Sequence, residues 1–313
     1  MPTNYSLVYL RNGACSIRSL AEDETFHPVI GPAIEAEALY VRQLHLPERV
    51  RETSGEFVIW DVGLGAAANA LTALRAIRDI PGRLRLVSFD HTLEPLEFAL
   101  KNSVALGYLD GYENPLGELI QTGRVEFADG KLEVKWEFHL GDFPARLKSR
   151  AGVSPARRTL QREQKTTEAA SLSPGADRRD ACPTLPAPHA IFYDAYSPKK
   201  NPAMWTVPLF ADLFRRLDRQ RPCALATYTR STMARVTMLL GGFFAGVGHP
   251  SGLKEETTVA ANRPDLLDEP LDRCWLERAK SSHSAEPLGG PVYRQAPLSS
   301  ETWERLRQHP QFR

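Results

Sequence analysis

The chain has 313 residues, with 39 lysines and arginines against 38 aspartates and glutamates, for a formal net charge of +1. Its 42% hydrophobic and 25% charged residues are ordinary for a soluble globular protein with a core of normal size. Near-neutrality supplies no whole-molecule field that demands nucleic acid, and leaves room for a local basic patch. Cys15, Cys182, Cys223 and Cys274 are scattered, without Cys-x-x-Cys pairs, so neither a zinc site nor a disulfide framework is expected. The start, Met1-Pro2-Thr3-Asn4-Tyr5, lacks a basic segment followed by an apolar run, and no window approaches 18 apolar residues. The expectation is a cytoplasmic protein without a membrane span or metal.

Residues 1–45 read as a lead-in. Ser6–Leu10 and Ala14–Ser19 are short strands around the turn Arg11-Asn12-Gly13, and Pro32–Leu44 carries apolar residues at helical spacing. Residues 46–250 hold the main domain. Phe57–Trp60 is a strand-type run ending at Asp61-Val62-Gly63-Leu64-Gly65, and Ala66–Arg78 is a helix stopped by Pro81-Gly82. A second apolar run, Leu84–Phe89, ends at Asp90, and a helix opens at Thr92 or Glu94. Val134–Leu140 is a later strand ending at Gly141-Asp142. This alternation predicts a parallel sheet with crossover helices. Residues 148–188 are rich in Arg, Ser, Pro, Thr and Gln and read as a disordered insertion, a solvated spacer made locally positive by Arg157, Arg158, Arg162 and Lys165. Order returns at His189–Asp194, followed by a helix over Trp205–Leu217, a strand over Cys223–Tyr228 and a helix over Ser231–Leu240. Residues 251–313 read as a polar extension, with Trp303 and Leu306 in a terminal helix.

Four acids fall at strand ends: Asp61, Asp90, Asp142 and Asp194. In open parallel sheets ligands bind beyond those ends. Gly63 and Gly65 let the backbone approach a ligand, and the helix behind them presents free amide groups to an anion. A dinucleotide site would show a third glycine where this chain has Ala68. Asp90 is placed to accept hydrogen bonds from a ribose, which NAD and S-adenosylmethionine share, or to cap the next helix. The most distinctive string is Asp194-Ala195-Tyr196-Ser197-Pro198-Lys199-Lys200-Asn201-Pro202 with Met204-Trp205. Its two prolines and aromatic closure suit either a rigid substrate loop or simple packing at the sheet edge.

These residues resemble the methyltransferase domain of the bifunctional tRNA 5-methylaminomethyl-2-thiouridine biosynthesis enzyme MnmC and its stand-alone relatives. The resemblance rests on Asp61–Gly65 with Asn69, Ser88-Phe89-Asp90, Gly141-Asp142-Phe143, Phe192–Trp205, Leu225–Thr229 and Gly242-Phe243. It spans residues 5–250 apart from the insertion. It implies an α/β, Rossmann-like methyltransferase fold, a mostly parallel sheet with helices on both faces and a small N-terminal strand lead-in. It also implies S-adenosylmethionine as cofactor, held by Asp61, Gly63, Gly65, Asn69, Asp90, Gly141 and Asp142. By the same resemblance Asp194 stands at a substrate amine, with Tyr196, Pro198, Lys199 and Trp205 as substrate contacts. The implied reaction is N-methylation of the aminomethyl group of a modified wobble uridine, so tRNA is the implied partner, with Lys199, Lys200 and the Arg-rich insertion available to phosphates. An unperturbed carboxylate near pKa ~4 is a feeble base for an ammonium, so Asp194 is expected to orient the amine and stabilise its developing charge. The sequence departs from the family where Gly65-Ala66-Ala67 replaces Gly-Thr-Gly, and where Asp194-Ala195-Tyr196-Ser197-Pro198 replaces Asp-Gly-Phe-Ala-Pro. The same fold acting on another amine or small molecule, or kept as a non-catalytic binding protein, are the alternatives.

Overall fold

The structure is a computed structural model describing residues 4–148, 185–252 and 254–313. The expected insertion lies outside the described residues except at its two ends. Cys182 lies outside them too, while Cys15 and Cys223 are buried free thiols and Cys274 is exposed. Among the described residues no cluster of His, Cys, Asp and Glu is arranged to hold a metal ion. No described helix is long and apolar enough to cross a membrane.

Strands β1 (Tyr5–Tyr9), β2 (Cys15–Ser19) and β3 (Glu24–Thr25) form a small antiparallel sheet. A short helix, Pro32–Ala36, widens into a π-helical stretch at Glu37–Arg42 inside the predicted helix. The main sheet comprises β4 (Glu56–Val62), β5 (Gly82–Asp90), β6 (Arg124–Asp129), β7 (Leu132–Leu140), β8 (Ala190–Tyr193), β9 (Ala224–Thr227), β10 (Phe244–Gly248) and β11 (Thr257–Ala261). Among the described residues its order is β10-β11-β9-β8-β4-β5-β7-β6. The central strands β9, β8, β4, β5 and β7 are parallel, and β6 and β11 pair antiparallel to their neighbours. From β4 the chain steps outward to β5 and the edge strand β6, fills the place between them with β7, then returns to build β8 and β9 on the other side. The order therefore reverses between β4 and β8, which opens a crevice at their carboxyl ends.

The strand period of two sorts the buried side chains onto two faces. Phe57, Ile59, Leu84 and Leu86 meet Leu71, Leu74 and Ile77 of the helix Ala68–Ile77. Val58, Trp60, Val62 and Val87 meet Leu209, Phe210 and Leu213 of the helix Val207–Arg216. Thus each face is covered by helices, as expected of a doubly wound sheet.

One expectation fails here. Residues 251–313 are not a polar extension: β11 lies inside the sheet between β9 and β10, and Thr257 and Thr258 are fully buried. The helices Arg273–Lys280 and Ser300–Arg307 bury Trp275, Leu276 and Leu306 against Val236, Leu239 and Ala245. The threonines read as polar in composition, yet the backbone ladder satisfies their peptides and their methyl groups suit a β surface.

Candidate active site

The crevice holds a cleft of about 560 Å³, within the range of small-molecule sites. Gly63, Gly65 and Ala67 all have left-handed backbone, with φ of 96°, 50° and 62°. This curls the loop so that the amides of Gly63 and Leu64 donate to the carbonyl of Phe89, and that of Gly65 to Asp90 Oδ2 at 2.9 Å. A Cβ on Gly63 would stand 2.6 Å from the backbone oxygen of Asp194, so only glycine lets the two loops touch. Ala67 adopts the same hand without that freedom, at a cost of about 1–2 kcal/mol.

Asp194 follows β8 at the floor of the cleft. Asn69 Nδ2 donates to its Oδ2 at 2.7 Å, and His27 Nε2 lies 3.9 Å from the same oxygen. Burial pushes the Asp194 carboxyl upward, while His27 and Asn69 pull it back. Asn69 Oδ1 is buried in the cleft wall and has no hydrogen-bond partner among the described residues. A buried acceptor of that kind costs about 1–3 kcal/mol. The hydroxyl of Tyr228 donates to the Ala195 carbonyl at 2.9 Å, and Lys254 Nζ donates to the Tyr228 carbonyl at 3.2 Å while lying over its ring.

The N-terminal sheet forms the opposite wall. Ser197 Oγ donates to Glu24 Oε1 at 3.1 Å, the rings of Phe26 and Tyr196 lie 6.1 Å apart, and Phe26 covers Gly65. Asp90 Oδ1 accepts from the amides of His91 and Thr92 and lies 3.0 Å from His91 Nδ1, while Oδ2 accepts from the amide of Gly65 alone and keeps a further lone pair for a hydroxyl. Gly141 and Asp142 close that end, with Asp142 Oδ2 accepting from the amide of Ala145. Phe89 and Phe143 add flat apolar surface there.

The cleft therefore brings together Gly63, Gly65, Asn69, Asp90, Gly141, Asp142, Asp194 and Tyr196 of the residues the sequence points to. Four others stand elsewhere. Asp61 is fully buried behind the glycine loop, accepting from Ser88 Oγ at 2.9 Å; its inward position on β4 points it into the sheet. Trp205 is fully buried as well, and its indole N–H donates to the Tyr196 carbonyl at 2.8 Å, so it braces the loop from behind. Pro198 and Lys199 sit in the turn that follows Ser197, outside the cleft lining, with Lys199 exposed. Conversely, Phe26, His27, Glu35, Tyr228 and Lys254 line the cleft although no motif singles them out as site residues. Tyr228 falls within a segment of the resemblance; the others come from the lead-in and the supposed extension, where no local pattern marks them.

Residues 171–263 match the model of a family described as S-adenosyl-L-methionine-dependent methyltransferase. The chain is similar to the bifunctional protein MnmC of tRNA 5-methylaminomethyl-2-thiouridine biosynthesis from several bacteria. It is 24% identical to the Burkholderia mallei protein over 253 residues and 28% identical to the Cupriavidus metallidurans protein over 242 residues. A shorter match, 31% over 105 residues, links it to the protein of Pseudomonas syringae. The first two alignments cover 76% and 77% of this chain but 32% of each relative, so the chain spans about a third of their length. In fold it is similar to MNMC2 from Aquifex aeolicus, with a TM-score of 0.63 over 98% of this chain and 84% of that one, at 20% identity. The chain thus has the fold of MNMC2, carries over residues 171–263 the likeness to S-adenosyl-L-methionine-dependent methyltransferases, and resembles the bifunctional protein MnmC over about three quarters of its length.

Proposed function

We propose that the chain methylates a primary amine, the aminomethyl group of a modified wobble uridine in tRNA. The observation that carries the amine is the pairing of Asp194 with Asn69 at the cleft floor, directly against the glycine loop. Gly63 and Gly65 would line the aminoacyl portion of the cofactor, Asp90 its ribose, and Asp142 with Phe89 and Phe143 the base. S-adenosylmethionine, when bound, supplies a methyl group on a positively charged sulfur. Asp194 fixes an N–H bond of the acceptor so that the nitrogen lone pair faces that methyl, and its carboxylate stabilises the charge that grows on nitrogen. The tRNA assignment rests on the resemblance to MnmC, a protein of tRNA 5-methylaminomethyl-2-thiouridine biosynthesis.

Calorimetry with S-adenosylhomocysteine tests the cofactor half, and absence of binding would sink both halves. Transfer of labelled methyl to tRNA from cells lacking the native modification tests the acceptor. Replacing Asp194 by Ala should lower that transfer by roughly 10²–10³-fold with cofactor affinity kept within a few-fold; undiminished transfer removes Asp194 from its role.

A second reading, methylation of a small cationic amine, is favoured by one feature. The cleft is lined by Asp23, Glu24, Glu35, Asp90, Asp142 and Asp194, against Arg18, itself paired with Asp23, and Lys254, His27 and His91. That sign of charge attracts amines and repels phosphates. Transfer to free amines at rates exceeding transfer to tRNA would select it.

A further inference from the structure

His27 stands in the lead-in, 167 positions before Asp194, yet its ring faces the Asp194 carboxylate across the cleft floor. Its backbone is left-handed, with φ of 49°, which turns the ring inward from the segment after β3. On the other side Nδ1 lies 3.3 Å from Glu35 Oε2, and Glu35 Oε1 accepts from Ser251 Oγ at 2.7 Å. The two sides of the ring are thus unequal. Glu35 as a carboxylate is an acceptor only, so it fixes the proton of a neutral imidazole on Nδ1. Nε2 then presents a lone pair to the cleft, opposite the lone pairs of Asp194 Oδ2. The gap of 3.9 Å is too long for a direct hydrogen bond. Two acceptors that converge without a donor between them suit a group that brings N–H bonds to both.

We propose that His27 is the proton acceptor of the methyl-transfer reaction, with Glu35 holding its tautomer and Asp194 fixing the second N–H of the amine. The proposal rests on the reading of the acceptor as an amine. The amine lone pair forms the new N–C bond as the methyl–sulfur bond breaks, and that electron pair stays on sulfur. The nitrogen, now cationic, loses one proton to His27 Nε2. The product is the neutral methylated amine, with an imidazolium between two carboxylates. The arrangement has the logic of a base oriented by a third, buried group. It also divides labour between a carboxylate that is a poor base and an imidazole suited to neutral pH.

The charged and titratable groups facing His27 are Glu35 from the first helix, Asp194 from the loop after β8, and Lys254 before β11. The phenols of Tyr40 and Tyr228 stand beyond, both held neutral by burial. Burial lowers the affinity of His27 for a proton, but the Glu35 bond and the two carboxylates outweigh it, and Lys254 opposes them weakly, so its pKa lies above the ordinary 6.5. As a base His27 must be neutral, so the rate rises with pH until that raised pKa is passed.

The experiment has two arms. In the first, 15N NMR of the histidine rings in the full chain bound to S-adenosylhomocysteine reads the neutral tautomer. A proton on Nδ1, with an Nε2 shift on adding 5-aminomethyluridine, is the expected result. A proton on Nε2 overturns the proposal whatever the activity. In the second, methyl transfer to tRNA lacking the modification is followed against pH for wild type, His27→Gln and Glu35→Gln. The wild type should show an ascending limb, His27→Gln should lose that limb and fall by roughly 10²-fold or more in kcat, and Glu35→Gln should move it to lower pH. An unchanged limb in His27→Gln overturns the proposal. Absence of transfer by the wild type to both tRNA and free 5-aminomethyluridine instead removes the amine reading, while the first arm still judges the tautomer.

Discussion

Two carboxyls a few ångströms from the glycine loop show how position decides use. Asp194 reaches the cleft and keeps a ligand-facing oxygen, whereas Asp61 is sealed under the loop with Oδ1 lacking a partner among the described residues. Burial pushes the Asp61 carboxyl up to about 7, against the bond from Ser88 and with the charges of Asp194 and Asp90. A carboxyl whose folded pKa exceeds its unfolded value of 3.8 holds its proton more tightly in the fold. Asp61 therefore stabilises the fold near pH 4, and its contribution falls away as pH rises from 4 through 7. The loss is on the order of 4 kcal/mol, since each tenfold gain in proton affinity is worth about 1.36 kcal/mol. Asp61→Asn keeps an acceptor for Ser88 and carries no charge. Urea denaturation should find the variant more stable than wild type at pH 8 and little changed at pH 4; a variant less stable at both would assign Asp61 a different role. The sequence made Asp61 legible as the start of a glycine loop, but which side of the strand it faces follows from the register of β4 between β5 and β8, which is set by pairing over long sequence separations.

At the scale of elements, β4, β5, β8 and β9 were readable because strands buried on both faces are continuous apolar runs. The exposed edge strand β6 alternates charged and apolar residues, Arg124-Val125-Glu126-Phe127, and escaped that pattern. The junction between β4 and β8 was half legible. Gly63 and Asp194 each stood out, but their contact did not, because 131 residues separate them. That contact makes a sharp test. Gly63→Ala would place a methyl group 2.6 Å from a backbone carbonyl at φ of 96°, where neither side is a flexible side chain. Overpacking costs typically 1–3 kcal/mol and the left-handed backbone about 1–2 more. The variant should lose roughly 2–5 kcal/mol of stability and bind S-adenosylhomocysteine at least tenfold more weakly, by denaturation and calorimetry respectively. Gly111→Ala, with positive φ but open space around it, should cost only the backbone share and leave binding intact. Equal effects of the two substitutions would show that the contact with Asp194 does not shape the cleft.

Over the whole molecule, the site depends on both ends of the chain. The N-terminal sheet and the segment that follows it wall the cleft through Glu24, Phe26 and His27, and the segment after residue 250 supplies Lys254, Ser251 and β11. Neither end carries a local signature, since its residues are fixed by distant partners, as Ser251 is by Glu35, 216 positions away. A boundary at 250, natural from composition, cuts the sheet. Removing residues 251–313 takes out β11, which bonds to β9 along Thr258–Ala261 and to β10 along its whole length. It leaves β9 an unpaired edge of Ala224-Leu225-Ala226-Thr227, a flat apolar strand of the kind that aggregates. It also bares Val236, Leu239 and Ala245, and removes Gln311, whose side chain bonds to both the amide and the carbonyl of Ala245. Burying each large apolar side chain is worth about 1.5–3 kcal/mol, and a domain's net stability is about 5–15 kcal/mol. Loss of Trp275, Leu276, Leu306 and Phe312 together is comparable with the whole margin. Residues 1–250 expressed alone should therefore accumulate as insoluble protein, and soluble material should lack a cooperative thermal transition by circular dichroism. A soluble fragment that melts cooperatively and binds S-adenosylhomocysteine would mean that β9 needs no partner on that side and that the cleft tolerates loss of Lys254 and Ser251.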